Sequence, residues 1–91
     1  MSAKAQPPLI TYPTVYAFKV MGRPDDDFEG FVRELFSTRL GFSLGAGALS
    51  RQASSRGSYV SLTVSVTLTS EMQRRSVYEQ LSRESRIVYY L

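Results

Sequence analysis

The chain has 91 residues, 43% of them hydrophobic and 21% charged, which is the size and balance of one compact domain with no room for a second. It contains no Cys, His, Trp or Asn, which excludes a Ser-His-Asp triad, a thiolate nucleophile, a zinc site of the nitrogen/sulfur kind, haem or iron–sulfur ligation by Cys or His, and any disulfide framework. The formal charge of +3 is unevenly placed: five basic residues balance five acidic ones up to Gly47, while from Ala48 six arginines face three glutamates, an asymmetry that permits nucleic-acid binding without requiring it.

Residues 1–11 hold one Lys, two adjacent prolines and no apolar stretch of signal-peptide length, and read as a tail ahead of a single domain over 12–91. The longest unbroken apolar run, Ile87 to Leu91, falls far short of the ~18 residues of a membrane-spanning helix, so a cytoplasmic protein without membrane contact is expected. From Thr14 to Met21 the chain is β-branched and aromatic and is stopped by Gly22, which predicts a strand with Tyr16, Phe18 and Val20 on one face and Val15, Ala17, Lys19 and Met21 on the other. The charge of Lys19 marks the second face as the open one.

After the turn Gly22-Arg23-Pro24, the carboxylates of Asp25, Asp26 and Asp27 suit a helix start, and Asp26 with Glu29 has capping-box spacing. Phe28, Phe31, Val32, Leu35 and Phe36 recur at three and four residues, which predicts a helix from Phe28 to Arg39 ended by Gly41. Gly30 lies off that stripe without a local reason. Gly41 to Gly47 reads as a loop whose Phe42 and Leu44 either pin it to the core or face a partner. Leu49 to Ser54 is a poorly patterned strand, expected at an edge, and Arg56-Gly57 a hairpin tip.

Val60, Leu62, Val64, Val66 and Leu68 alternate with Ser61, Thr63, Ser65 and Thr67, which predicts a central strand, aliphatic on one face and hydroxylated on the other. Ser70 and Gln73 repeat the capping-box spacing before a second helix, with Val77 and Leu81 buried, Tyr78 at the rim, and Glu71, Arg75, Glu79 and Arg83 forming a solvent-facing ladder. With so thin an apolar stripe, the stem of Arg74 is expected to cover part of the sheet. Arg86 to Leu91 closes the chain as a strand. The order β-α-β-β-α-β, with right-handed crossovers, defines an α+β, ferredoxin-like sandwich: a four-stranded antiparallel sheet with both helices on one face and the other face open.

Three stretches carry a resemblance: Tyr12-Pro13-Thr14 leading to Phe18-Lys19-Val20-Met21-Gly22, then Ser54-Ser55-Arg56-Gly57-Ser58-Tyr59, then Val77-Tyr78-Glu79-Gln80-Leu81. Together they resemble the small bacterial YbeD-like proteins. The resemblance implies a domain similar to the ACT regulatory domains that sense amino acids, with no catalytic residues, no cofactor and no metal. It implies an effector near the turn after the first strand, at Gly22, Arg23, Asp25 and Asp26. There Gly22 would let a ligand approach the backbone, Arg23 would grip a carboxylate and an aspartate would meet an ammonium. The same residues also have a structural reading, with Gly22 at positive φ and the aspartates as caps.

Phosphate hydrolysis of the acylphosphatase type is excluded, since it needs an Asn to orient water. Gly41, Gly45 and Gly47 do not match a phosphate-binding loop, and the clustered carboxylates do not match a glycosidase pair. The expectation is therefore a non-enzymatic, ACT-like regulatory or interaction domain that binds a small metabolite, modulates a metabolic protein partner and forms a homodimer. The alternative is a nucleic-acid-binding module using Lys19, Arg56, Tyr59, Arg86 and Tyr90 on the open sheet face. Only Tyr59 supplies an outward aromatic on the central strand, so dimerisation ranks above RNA as a use of that face.

Overall fold

A computed structural model of the chain describes residues 10–24, 27–53 and 57–91. The elements follow the expected order: β1 (Thr14–Gly22), α1 (Phe28–Leu40), β2 (Leu49–Ala53), β3 (Val60–Leu68), α2 (Glu71–Arg83) and β4 (Ile87–Tyr90), with a 3-10 turn at Ala46–Ala48 ahead of β2. The strands form one antiparallel sheet in the order β2-β3-β1-β4. β3 is central and β2 lies at an edge, as their patterns require.

The β1–β3 register sets Phe18 opposite Val64 and Val20 opposite Leu62, and all four side chains are fully shielded. Val32 and Phe36 of α1 and Val77 and Leu81 of α2 complete the same core, so both helices cover one face of the sheet in the ferredoxin-like α+β arrangement. The Phe18 ring meets Phe36 at 5.1 Å and 72° and Tyr78 at 5.0 Å, the tilted geometry that aromatic quadrupoles favour. On the opposite face Val15, Ala17, Lys19, Ser65 and Thr67 are exposed.

The start of α1 differs from the expected capping box. Asp25 and Asp26 lie outside the described residues, and the cap is Asp27, held at φ 52° with its carboxylate accepting from the Gly30 N–H. That folded-back carboxylate is the reason for Gly30, where a Cβ would come within 2.8 Å of the Asp27 Cγ. α1 ends as expected at Gly41, whose φ of 85° turns its N–H onto the Ser37 carbonyl at 2.8 Å. Leu44 pins the loop to the core while Phe42 stays 44% exposed.

α2 begins at Ser70, whose hydroxyl accepts from the Gln73 N–H at 3.2 Å. The Gln73 side chain reaches back one residue further than a standard capping box, accepting from the Thr69 N–H at 2.7 Å.

Candidate functional site

The effector turn takes a different shape from the one expected. Gly22 is buried, its φ is not positive, and a Cβ there would run into the Phe28 ring and lie 2.8 Å from the Arg86 carbonyl. It is glycine because α1 lands on it, so its backbone is closed to a ligand rather than opened to one. The Arg23 guanidinium lies over the Tyr59 ring, 5.9 Å from the centroid. Asp25 and Asp26 are outside the described residues.

Beside that turn is a cleft of about 350 Å3, bounded by Pro24, Asp27, Phe28 and Glu29 on one side and by Arg51, Val60 and Leu62 on the other. Phe28, Val60 and Leu62 lie at its base but are core residues with almost no exposed surface, so the surface it offers is mainly polar. Its rim is charged with both signs. Arg51 stands opposite Leu62 in the β2–β3 ladder, and since cross-strand partners share a face, this edge strand carries its guanidinium on the helix side. Among the described residues Arg51 has no ion-pair or hydrogen-bond partner. Among the described residues Glu29 is held only by Arg33, at 3.8 Å. A guanidinium and carboxylates lining one cleft suit the two charges of a small zwitterion.

Sequence reading missed Arg51. Its signal was present: alternation puts Leu49, Arg51 and Ala53 on one face of the strand, and a charge at an inward register position calls for an explanation. A larger groove, about 490 Å3 between α1 and α2, ties four of its polar groups to one another, while Glu34 is exposed without a hydrogen-bond or ion-pair partner among the described residues. Arg39 donates to Ser76 and Gln80, and Gln80 donates to Glu84.

The strongest electrostatics lie at the start of α2. Glu71 accepts from the Tyr12 hydroxyl at 2.6 Å, from both Nε and Nη2 of Arg74 at 3.0 and 2.7 Å, and from Arg75 at 3.2 Å. The Arg74 hydrogen bonds, followed by that from Tyr12, pull the Glu71 carboxyl from its ordinary 4.5 down to about 2. Arg74 in turn lies over Tyr16 and Tyr78, 5.9 and 5.6 Å from their centroids, and so covers the sheet as expected, with its head as well as its stem. The Tyr16 and Tyr78 hydroxyls are 3.0 Å apart. Burial first, then that contact, raises the Tyr78 pKa above the ordinary tyrosine value. Every group in this cluster has a partner, which makes it a clasp between the chain before β1 and α2.

The five residues expected on the open sheet face divide. Lys19 is exposed there, and alternation from the buried Val60 puts the half-buried Tyr59 on the same side. Arg86 and Tyr90 belong to the other side: the Arg86 guanidinium sits 4.5 Å from the centroid of Phe31 in α1, and Tyr90, opposite the buried Val20, packs on Tyr78 at 6.1 Å. The cause is a register shift between Met21 and Gly22 that turns Tyr89, not Tyr90, outward. Arg56 lies outside the described residues. The described residues thus do not assemble a basic aromatic platform on one face.

Fold and topology place the molecule among ferredoxin-like α+β domains. Residues 7–91 match the family described as "Protein of unknown function (DUF493)", and the chain belongs to that family. Among curated proteins it is similar to a UPF0250 protein of Shewanella piezotolerans, 36% identical over 81% of each chain. It is also similar to one of Janthinobacterium sp., 34% identical over 91% of this chain and 90% of that one. These bacterial relatives bear out the resemblance to YbeD-like proteins. The solution structure of protein HP0495 from H. pylori matches with a TM-score of 0.77 over the whole of this chain and 94% of that one, at 22% identity, a likeness of fold. No helix among the described residues is long and apolar enough to cross a membrane.

Proposed function

We propose that this is a non-enzymatic, ACT-like regulatory domain that takes a small amino-acid-type metabolite in the cleft beside the β1–α1 turn and modulates a metabolic protein partner. The observation that supports this reading is Arg51, a guanidinium on the helix-side register of an edge strand that has no ion-pair or hydrogen-bond partner among the described residues and shares its cleft with Asp27 and Glu29. In the reading, Arg51 takes the ligand carboxylate in a two-point bond. Glu29, loosely tied to Arg33, takes the ammonium. Gly22, whose backbone the Phe28 ring closes off, takes no part in this reading, and Asp25 and Asp26 lie outside the described residues.

The test is a thermal-unfolding screen with leucine, valine and methionine, alongside leucinamide, which lacks the carboxylate. A ligand that binds only the native state stabilises it, by about 2.7 kcal/mol at a concentration of about 100 Kd. The amino acids are expected to raise Tm, leucinamide to leave it unchanged, and Arg51→Gln to abolish the rise. No rise with millimolar amino acid, or an equal rise in Arg51→Gln, overturns the reading.

A further inference from the structure

We infer that the outer edge of β1 at Val15 and Ala17 is a docking strand for a second copy of this chain. The inference stands apart from the cleft and does not depend on what the cleft binds. It starts from the direction of backbone groups. Lys19 exchanges both its hydrogen bonds with Leu91, at 3.1 and 2.8 Å, so it points its N–H and C=O toward β4. Backbone direction alternates along a strand and the β1–β3 register is unbroken from Thr14 to Gly22, so Ala17 and Val15 point the same way. The pairing with β4 covers only Lys19 to Gly22. Among the described residues no strand pairs with Val15 and Ala17 on that side. Among the described residues the Val15 carbonyl accepts only from the neighbouring Thr14 hydroxyl, at 3.4 Å.

Exposed strand edges are normally guarded, and the other two edges of this sheet are. β2 is five residues long and carries Arg51 on its helix side, and β4 is four residues long with a register shift. The stretch Thr14–Phe18 has no charge, no proline and no bulge in its pairing with β3. Val15 is 72% exposed.

This edge is also its own complement. In a two-fold antiparallel pairing centred on Tyr16, Val15 of each copy stands opposite Ala17 of the other. The two residue pairs exchange four backbone hydrogen bonds, a large side chain meets a small one twice, and an eight-stranded sheet results. Lys19, the charged residue of β1, lies six residues from its counterpart, roughly 20 Å along the strand. That is well beyond the Debye length of about 8 Å at physiological salt, so the like charges do not oppose the pairing.

Sedimentation velocity over a concentration series, joined to hydrogen exchange, tests this. Wild type is expected to dimerise reversibly, with the Val15 and Ala17 amides protected in step with dimer. V15K/A17K and V15E/A17E each set like charges directly opposite one another and are expected to weaken association at least about tenfold. Because the substituted side chains are exposed, Tm at low protein concentration should match wild type. Mixing the two variants is expected to restore association as a heterodimer. A wild type that stays monomeric to millimolar concentration overturns the inference, whether or not the two amides are protected. So does a dimer that either variant leaves intact.

Discussion

α1 and α2 are each thirteen residues long and each follows a strand from the middle of the sheet, yet their N-terminal ends are wired differently. At α2, Ser70 caps, Gln73 reaches back, and Glu71 gathers four hydrogen bonds from Tyr12, Arg74 and Arg75. At α1, one strained aspartate does the capping, and among the described residues Glu29 is loosely held and Arg51 has no ion-pair or hydrogen-bond partner. Charges that satisfy each other hold a fold together and leave nothing for a ligand. Charges left facing one another across a cleft keep their binding capacity. The contrast places the structural work at one helix start and the candidate recognition work at the other.

The largest effect is expected where α1 meets the sheet. Gly22→Ala puts a methyl group into the Phe28 ring and against the Arg86 carbonyl, and is expected to cost about 2–3 kcal/mol, read as a lower urea midpoint with an unchanged slope. A cost near zero would show that Phe28 is free to move, and with it the floor of the cleft.

The α2 end is broken next by acid. Since the folded Glu71 carboxyl titrates near 2 instead of its ordinary 4.5, its contribution is complete above pH 4.5 and is lost as the pH falls toward 2. Glu71→Gln is therefore expected to be less stable than wild type at neutral pH and to converge with it as acid is added. Parallel curves through that window would mean that the clasp does not hold the carboxylate charged.

The smallest effect sharpens the α1 end. Gly30→Ala gains about 1 kcal/mol of helix propensity but displaces a cap worth about 1 kcal/mol, so it is expected to be nearly neutral. In an Asp27→Gly background, where no carboxylate occupies the space, the same change is expected to stabilise by about 1 kcal/mol. Equal effects in the two backgrounds would separate Gly30 from the cap.

How much of this was legible follows from range. The strands, the α1 stripe, the Ser70 cap and the Gly41 stop are local patterns, and they read correctly. The clasp joins Tyr12 to Glu71 across 59 positions, and a helical wheel places Glu71 in a solvent ladder without revealing its partner. Gly30 depends on the left-handed turn of Asp27, which spacing does not announce. The faces of Arg86 and Tyr90 turn on a one-residue shift in a strand of four, too short for alternation to decide. Arg51 was readable in principle, since its place between Leu49 and Ala53 already set a charge facing inward.

The central claim is that Arg51 and Glu29 beside the β1–α1 turn hold a small zwitterion, and a backbone amide NMR titration of the full chain with leucine tests it most directly. The account predicts saturable shifts confined to Asp27–Gly30, Arg51, Val60 and Leu62, and none of them in Arg51→Gln. Shifts centred on the Tyr12–Glu71 clasp or on the groove between the helices, or a spectrum that leucine leaves untouched, would contradict it.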